Sequence, residues 1–264
     1  MLYYPQLTSG AVSQLPVTHR TSIRTLSNKL ASGNTIRMGD PSAGIVRWQL
    51  QYGNVTDAEW ATIEQLFEAA EGRLTTFTFL DPTANLLMWS EDWTKPVWTA
   101  DPMLQVVTGI QDPLGGSNAG QLTNTSQSSQ RIVQSIAAAS WFQYCFSVYL
   151  RSDAPSGVQM VMSASGQDSL TPISTGPAWT RAVKSGALSV SQNSIGFGVQ
   201  FDAGARIQAF GAQVEAQAAA GQYKKTIDRG GVYAKTRFDS DALTLSTNAP
   251  NQNASTVSLC SNLI

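Results

Sequence analysis

From residue 85 to residue 229 the sequence repeats one pattern: a short run of alternating apolar and polar residues, a few Gly, Pro, Ser or Asp residues, then another run. Gln130-Arg-Ile-Val-Gln-Ser-Ile136, Tyr144-Cys-Phe-Ser-Val-Tyr-Leu150, Val158-Gln-Met-Val-Met162, Ile195-Gly-Phe-Gly-Val-Gln-Phe201 and Arg206-Ile-Gln-Ala-Phe210 are the clearest. A period of two sends successive side chains to opposite faces, so Phe146, Val148 and Leu150 share one face and Cys145, Ser147 and Tyr149 the other. Many short strands at this spacing predict a β-sandwich or jelly roll. Residues 112–118 and 168–177 read as turn-rich connections.

The first 84 residues have a different texture. Val46, Trp48, Leu50 and Tyr52 alternate with Arg47, Gln49 and Gln51, which predicts a strand with one buried face. Thr56-Asp-Ala-Glu59 is a capping box, in which the Thr56 hydroxyl accepts from the Glu59 N–H and the Glu59 carboxylate reaches back. Trp60, Ile63, Phe67 and Ala70 follow at helical spacing, and Gly72 is the natural stop, so a helix is expected over residues 57–71. Leu74-Thr-Thr-Phe-Thr-Phe-Leu80 reads as a strand ended by Asp81-Pro82. After Gly230-Gly231, Val232-Tyr-Ala-Lys-Thr-Arg-Phe238 and Thr256-Val-Ser-Leu-Cys260 are strand-like, with a polar loop over residues 248–254 between them. That segment is too short to stand alone and must complete a sheet begun elsewhere.

Composition removes several functions. Charged residues make up 13% of the 264, against roughly a quarter in ordinary soluble proteins, and the net charge is -1. No basic stripe interleaved with aromatics offers a footprint for nucleic acid. No apolar run approaches the ~20 residues that cross a bilayer, and the opening Met1-Leu-Tyr-Tyr-Pro-Gln6 lacks the pattern of a signal peptide. Cys145 and Cys260, far apart and each in a β-like run, are expected as buried free thiols. The single histidine, His19, is expected at a surface or interface. No Gly-x-Ser-x-Gly, Cys/His cluster or P-loop is present, so no catalytic residue, metal or cofactor is expected. Glu91 and Asp92 are adjacent, which on a strand would point them to opposite faces; they read as turn or capping residues.

Aromatics are the remaining ligand signal, because sugar rings stack on exposed indoles. Trp89, Trp93, Trp98, Trp141 and Trp179 all lie in the middle segment. Trp98 and Trp179 are expected in the sandwich core. Trp89, Trp93 and Trp141 are the candidate glycan-binding residues, although Trp89 and Trp93 lie beside the segment boundary and are equally placed to pin one part of the chain on the other.

Two family resemblances cover most of the chain. Thr35-Ile-Arg-Met-Gly-Asp40, the Val46–Tyr52 run, the capped helix, Gly72-Arg73 and Phe77-Thr-Phe-Leu-Asp-Pro82 resemble, in that order, the hub domain of distal tail proteins of phages and gene transfer agents. Thr236-Arg-Phe-Asp-Ser-Asp-Ala-Leu243 is similar to the closing strand of that domain. Asn85-Leu-Leu-Met-Trp-Ser-Glu-Asp-Trp93 followed by Trp98 resembles the opening of jelly-roll modules found on many phage tail proteins, which are related in fold to carbohydrate-binding domains. Phe146-Ser-Val-Tyr-Leu-Arg151 and Trp179-Thr-Arg181 match the middle strands of those modules, and Gly211-Ala-Gln-Val-Glu215 with Tyr223-Lys-Lys-Thr226 matches their end.

The resemblance implies a mainly β chain. A tail-tube-like β-barrel or sandwich hub with one helix takes residues 1–84 and 230–264, and an inserted jelly roll takes residues 85–229. It implies a structural virion component of the phage tail tip or baseplate, assembled in the host cytoplasm. Its expected partners are further copies in a hexameric ring, the tail tube protein, tail hub and baseplate proteins, and host cell-surface carbohydrate. The alternative is a glycan-binding adhesin or receptor-binding minor tail protein. Tyr3, Tyr4, Leu7, Val12, Leu15 and Val17 make the first twenty residues too apolar for a free arm, and these are expected to pack on a neighbouring subunit or ring.

Overall fold

The structure, a computed structural model, describes residues 1–154 and 156–263. Ile264, the last residue of the expected hub segment, lies outside the described residues. The fold is mainly β, with sixteen strands and one α-helix among the described residues. The chain forms two compact units, one of residues 1–8, 13–79 and 233–264, the other of residues 9–12 and 80–232.

The first unit is a six-stranded sheet. β1 (Val17–Lys29), β2 (Thr35–Val55), β16 (Gln252–Asn262), β14 (Val232–Phe238) and β3 (Phe77–Leu80) follow in that order, and β15 (Ser246–Ala249) pairs with β16. Val46, Trp48, Leu50 and Tyr52 are buried, as the alternation in β2 predicts. Trp48 packs edge-on against Phe79 at 4.9 Å and Tyr233 at 4.6 Å, while Phe77 meets Phe238 at 5.0 Å. His19 stacks on Trp48 and remains exposed. Residues 248–254, expected as a loop, hold the turn of the β15–β16 hairpin and parts of both strands. Asn251 sits at the turn with φ of 59°, a conformation Asn tolerates. Cys145 and Cys260 are free thiols, the first buried and the second only half-buried.

α1 (Asp57–Ala69) carries the full capping box, with the Thr56 hydroxyl accepting from the Glu59 N–H at 3.2 Å and the Glu59 carboxylate accepting from the Thr56 N–H at 3.0 Å. It stops two residues before the expected end because Glu71 and Gly72 both take positive φ, 51° and 63°, and the Gly72 N–H returns to the Phe67 carbonyl. The buried face is Trp60, Ile63, Leu66 and Ala70; Phe67, expected on it, lies at its flank and meets Phe238 edge-on at 5.0 Å.

Several of the apolar residues at the start of the chain pack within the chain. Tyr4 is buried against Phe77 and Phe79 and shares a 2.9 Å hydrogen bond with the Tyr52 hydroxyl. Leu7 is buried as well. Residues 2–4 also lie along β3, where the Thr78 N–H donates to the Leu2 carbonyl and the Tyr4 N–H to the Thr78 carbonyl. Of the side chains expected to pack on a neighbour, Tyr4, Leu7 and Val12 are thus already withdrawn from water, Tyr3 and Val17 are half-buried, and Leu15 is 80% exposed.

The second unit is an antiparallel jelly-roll sandwich. One sheet runs β10 (Gln167–Ile173), β9 (Val158–Ala164), β12 (Ile195–Phe201), β7 (Gln130–Ile136), β4 (Trp98–Ala100). The other runs β11 (Thr180–Gly186), β8 (Tyr144–Arg151), β13 (Arg206–Glu215), β6 (Ala119–Asn124), β5 (Leu104–Ile110). Phe197 of the first sheet meets Tyr144 and Phe146 of the second at 5.2 and 6.1 Å, which fixes the inner faces. β8 is buried on nearly all its length because it is central and covered on both faces. Much of residues 168–177, expected as a connection, is strand β10, an edge strand that exposes Asp168, Leu170 and Pro172 and tolerates the proline.

Candidate functional site

The two ends of the jelly-roll module meet. Asn85 clamps β13: its amide nitrogen donates to the Ala212 carbonyl at 2.9 Å, and its amide oxygen accepts from the Val214 N–H at 3.0 Å and the Leu87 N–H at 3.1 Å. The Ser90 and Tyr223 hydroxyls share a 2.8 Å hydrogen bond, the Thr226 N–H donates to the Ser90 hydroxyl at 2.9 Å, and the Thr226 hydroxyl donates to the Leu87 carbonyl at 2.7 Å. β13 passes Tyr223 closely enough to require glycine: Gly211 has φ of 64°, and a Cβ there would stand 3.1 Å from the Tyr223 ring. Asn85, Ser90, Tyr223 and Thr226 are thus a structural clasp.

A cleft of 510 Å³ opens at this clasp, lined by Trp89, Glu91, Asp92, Thr94, Thr108, Gly109, Ser117, Asn118, Lys225, Thr226 and Ile227. Trp89 has φ of 49°, uncommon for a bulky residue. Three hydrogen bonds to its main chain hold it there: its N–H donates to the Ile227 carbonyl at 2.6 Å, and its carbonyl accepts from the Trp98 indole at 3.1 Å and the Asp92 N–H at 3.2 Å. The Lys95 ammonium lies 4.5 Å from the centre of the Trp89 ring. Glu91 accepts from the Tyr223 hydroxyl at 3.0 Å and pairs with Lys225. Asp92 pairs with Lys95 at 3.4 Å and accepts from the Thr94 N–H and hydroxyl; burial pushes its carboxyl up, but those Thr94 bonds and the nearby ammonium outweigh burial and hold it below the usual range. Asn118 is oriented by Asp112, whose carboxylate accepts from its side-chain amide at 3.0 Å and its N–H at 3.1 Å.

The arrangement has an indole, two carboxylates, an ammonium, an amide and several hydroxyls on one concave wall. That is the donor and acceptor mixture that a neutral, hydroxyl-rich ring requires, with one apolar face for stacking. Both carboxylates already have cationic partners.

The three sequence-predicted tryptophans part company. Trp89 lines the cleft. Trp93 is 2% exposed and packs on Trp98 at 4.4 Å, so its candidacy as a ligand residue is corrected: the opening segment turns inward there and the indole fills the core beside Gly120. Trp141 is 42% exposed, next to Ser140, whose hydroxyl donates to the Val190 carbonyl and accepts from the Gln192 N–H. Trp98 is buried as expected, whereas Trp179 is half-buried, with the Arg151 guanidinium 4.7 Å from its ring, rather than in the core. Glu91 and Asp92, read as turn residues, are both cleft residues; Asp92 also keeps its turn role through Thr94.

A second, more polar cleft of 560 Å³ lies on the outer face of the β10–β9–β12–β7–β4 sheet, lined by Arg131, Ser135, Ser163, Gln167, Asp168, Gln192, Gly196 and their neighbours. It has no aromatic wall.

No family model matches the chain, and no curated protein matches it. Among solved structures, it is similar to the CBM22-1 xylan-binding domain from Paenibacillus barcinonensis Xyn10C, with 16% identity over 52% of this chain and 96% of that one and a TM-score of 0.42. It is similar to the C-terminal family 22 carbohydrate binding module of Clostridium thermocellum Xyn10B, with 15% identity over 54% of this chain and 99% of that one and a TM-score of 0.42. It is also similar to the enzymatically active domain of bacteriophage CBA120 tailspike protein 4, with 11% identity over 52% of this chain, 22% of that one and a TM-score of 0.41. Identities and scores this low carry no inference about what this chain binds.

Proposed function

We propose that the protein is a structural component of a phage or phage-like tail tip that holds a host-surface glycan in the Trp89 cleft. One observation carries the binding half: an indole fixed by three hydrogen bonds to its main chain beside Glu91, Asp92, Asn118 and Lys225 in a 510 Å³ cleft. The indole supplies the stacking face, and the polar groups supply hydrogen bonds to ring hydroxyls. The tail-tip half rests on the ordered sequence motifs. In this reading residues 1–84 and 230–264 form the hub that closes a hexameric ring between the tail tube and the tip, and residues 85–229 face outward as the receptor-contacting module.

The test is a glycan array and titration calorimetry with the full chain and Trp89→Ala. All three main-chain bonds of residue 89 survive that substitution, so the fold is retained. Affinity for the selected glycan is expected to fall at least about tenfold, or about 1.4 kcal/mol. Unchanged binding in Trp89→Ala, with loss in Trp141→Ala, moves the site to the Trp141 loop; no glycan bound by the wild type removes the binding half altogether.

A further inference from the structure

The β1–β2 ribbon outgrows its sheet. β16 pairs with β2 only from Ile45 to Val55, whereas β1 and β2 continue together beyond it, with Arg24 opposite Asp40 and Lys29 opposite Thr35. Leu26 faces Met38 and Asn28 faces Ile36 across this distal ribbon, so Leu26, Ile36 and Met38 occupy one face. All three are exposed, as are Ile23 at the register shift and Leu30 at the turn. A two-stranded ribbon alone is marginal in water, and an apolar face on it is stabilised only when something covers it.

Its charge points to what covers it. Arg24, Lys29 and Arg37 stand against a single acid, Asp40, which is already paired with Arg24, so Lys29 and Arg37 carry the ribbon's net charge. The helix of the same unit has the reverse: Asp57, Glu59, Glu64 and Glu68 with no Lys or Arg, followed by Glu71 and then by Arg73, which is paired with Asp241. Glu64, Glu68 and Glu71 are exposed, and Leu74, just past them, is 64% exposed. One unit thus has a cationic ribbon with an apolar face and, elsewhere, an acidic helix end with an exposed leucine.

We propose that the distal β1–β2 ribbon of one copy docks, apolar face down, across Leu74 and the acidic end of α1 in a second copy of this chain. The two patches are different surfaces, so each copy that donates its ribbon still offers its helix, and the contact repeats head to tail. Lys29 and Arg37, on the other face of the ribbon, reach round its narrow edge with long side chains toward Glu64 and Glu68. This inference rests on the ring-forming reading of the first unit.

The whole 264-residue chain is examined by mass photometry and sedimentation at low and high salt, with folding followed by circular dichroism. Leu26→Asn with Met38→Thr removes the apolar face. Lys29→Glu with Arg37→Glu reverses the ribbon, and Glu64→Lys with Glu68→Lys reverses the helix. Each pair is expected to weaken association at least about tenfold, while combining the two charge reversals restores it. Wild-type association should also weaken in salt. A wild type that associates equally well with either patch altered keeps the ring and overturns this contact; a monomeric wild type overturns both. Glycan binding through Trp89 is measured on the same variants and should not change, so its loss or absence reports on that cleft and not on the ribbon.

Discussion

Arg131 and Asp168 meet at 3.0 Å although two whole strands, β12 and β9, separate β7 from β10. The sheet is therefore bent enough for side chains from non-neighbouring strands to converge above its outer face, where Gly196 keeps the floor low. Both members are nearly half exposed, so solvent screens the pair. A double-mutant cycle on Arg131→Gln and Asp168→Asn should give a coupling below about 1 kcal/mol in denaturant melts; a larger value would mean the pair braces the sheet.

Trp93 separates packing from recognition. Its indole is buried on Trp98, so Trp93→Ala should cost about 3–5 kcal/mol in urea unfolding. Trp141→Ala, at an exposed loop position, should stay within about 0.5 kcal/mol of wild type in the same experiment.

Gly198 is required by a close approach of two backbones. A Cβ there would lie 1.9 Å from the Ile132 carbonyl oxygen and 2.8 Å from the Val133 Cα, and backbone cannot move aside as a flexible side chain does. Gly198→Ala should destabilise the jelly roll by about 3 kcal/mol or more, and hydrogen exchange should speed up along β7 and β12 first.

Glu59 links the helix start to acid stability. Burial raises its carboxyl, but hydrogen bonds from Thr8 and Thr56 outweigh that and bring it from 4.5 down to about 2. A depressed carboxyl contributes stability that is present above its unfolded value and is lost as pH falls through the folded one. Melting temperature should therefore drop between about 4.5 and about 2. Glu59→Gln, which retains the shape of the cap, should lower stability at neutral pH and flatten that acid limb. An unchanged limb would assign the loss to other carboxylates.

Much of the β architecture was legible because its strands have two unlike faces or none exposed. Gln130–Ile136, Ile195–Phe201 and Val232–Phe238 are strands with the bounds their residues suggest. β10 was hidden because an edge strand need not be apolar: Asp168, Leu170 and Pro172 face solvent in a run that reads as a loop. Most of β1 was hidden for a related reason, since its ribbon is wet on both faces and a period of two has nothing to mark. Of the cleft, Trp89 was visible as a residue type and Glu91 and Asp92 as neighbours. Asn118 and Lys225 were not, because they arrive from loops far along the chain and no spacing connects them to Trp89.

The pairing of β2 with β16 sets an order of events during synthesis. Trp48 lies opposite Leu259, so the first sheet lacks a central strand until almost the whole described chain has been made. The jelly roll draws all ten of its strands from one continuous stretch, residues 80–232, and has them earlier. Domains fold as units while the chain emerges, and contacts distant in sequence form late. The sandwich should thus fold on the ribosome while the β1–β2 ribbon and α1 wait with Trp48 and Leu50 uncovered. That interval is when this protein is most dependent on chaperones, and truncations within the last strand should yield a folded sandwich attached to an aggregation-prone remainder.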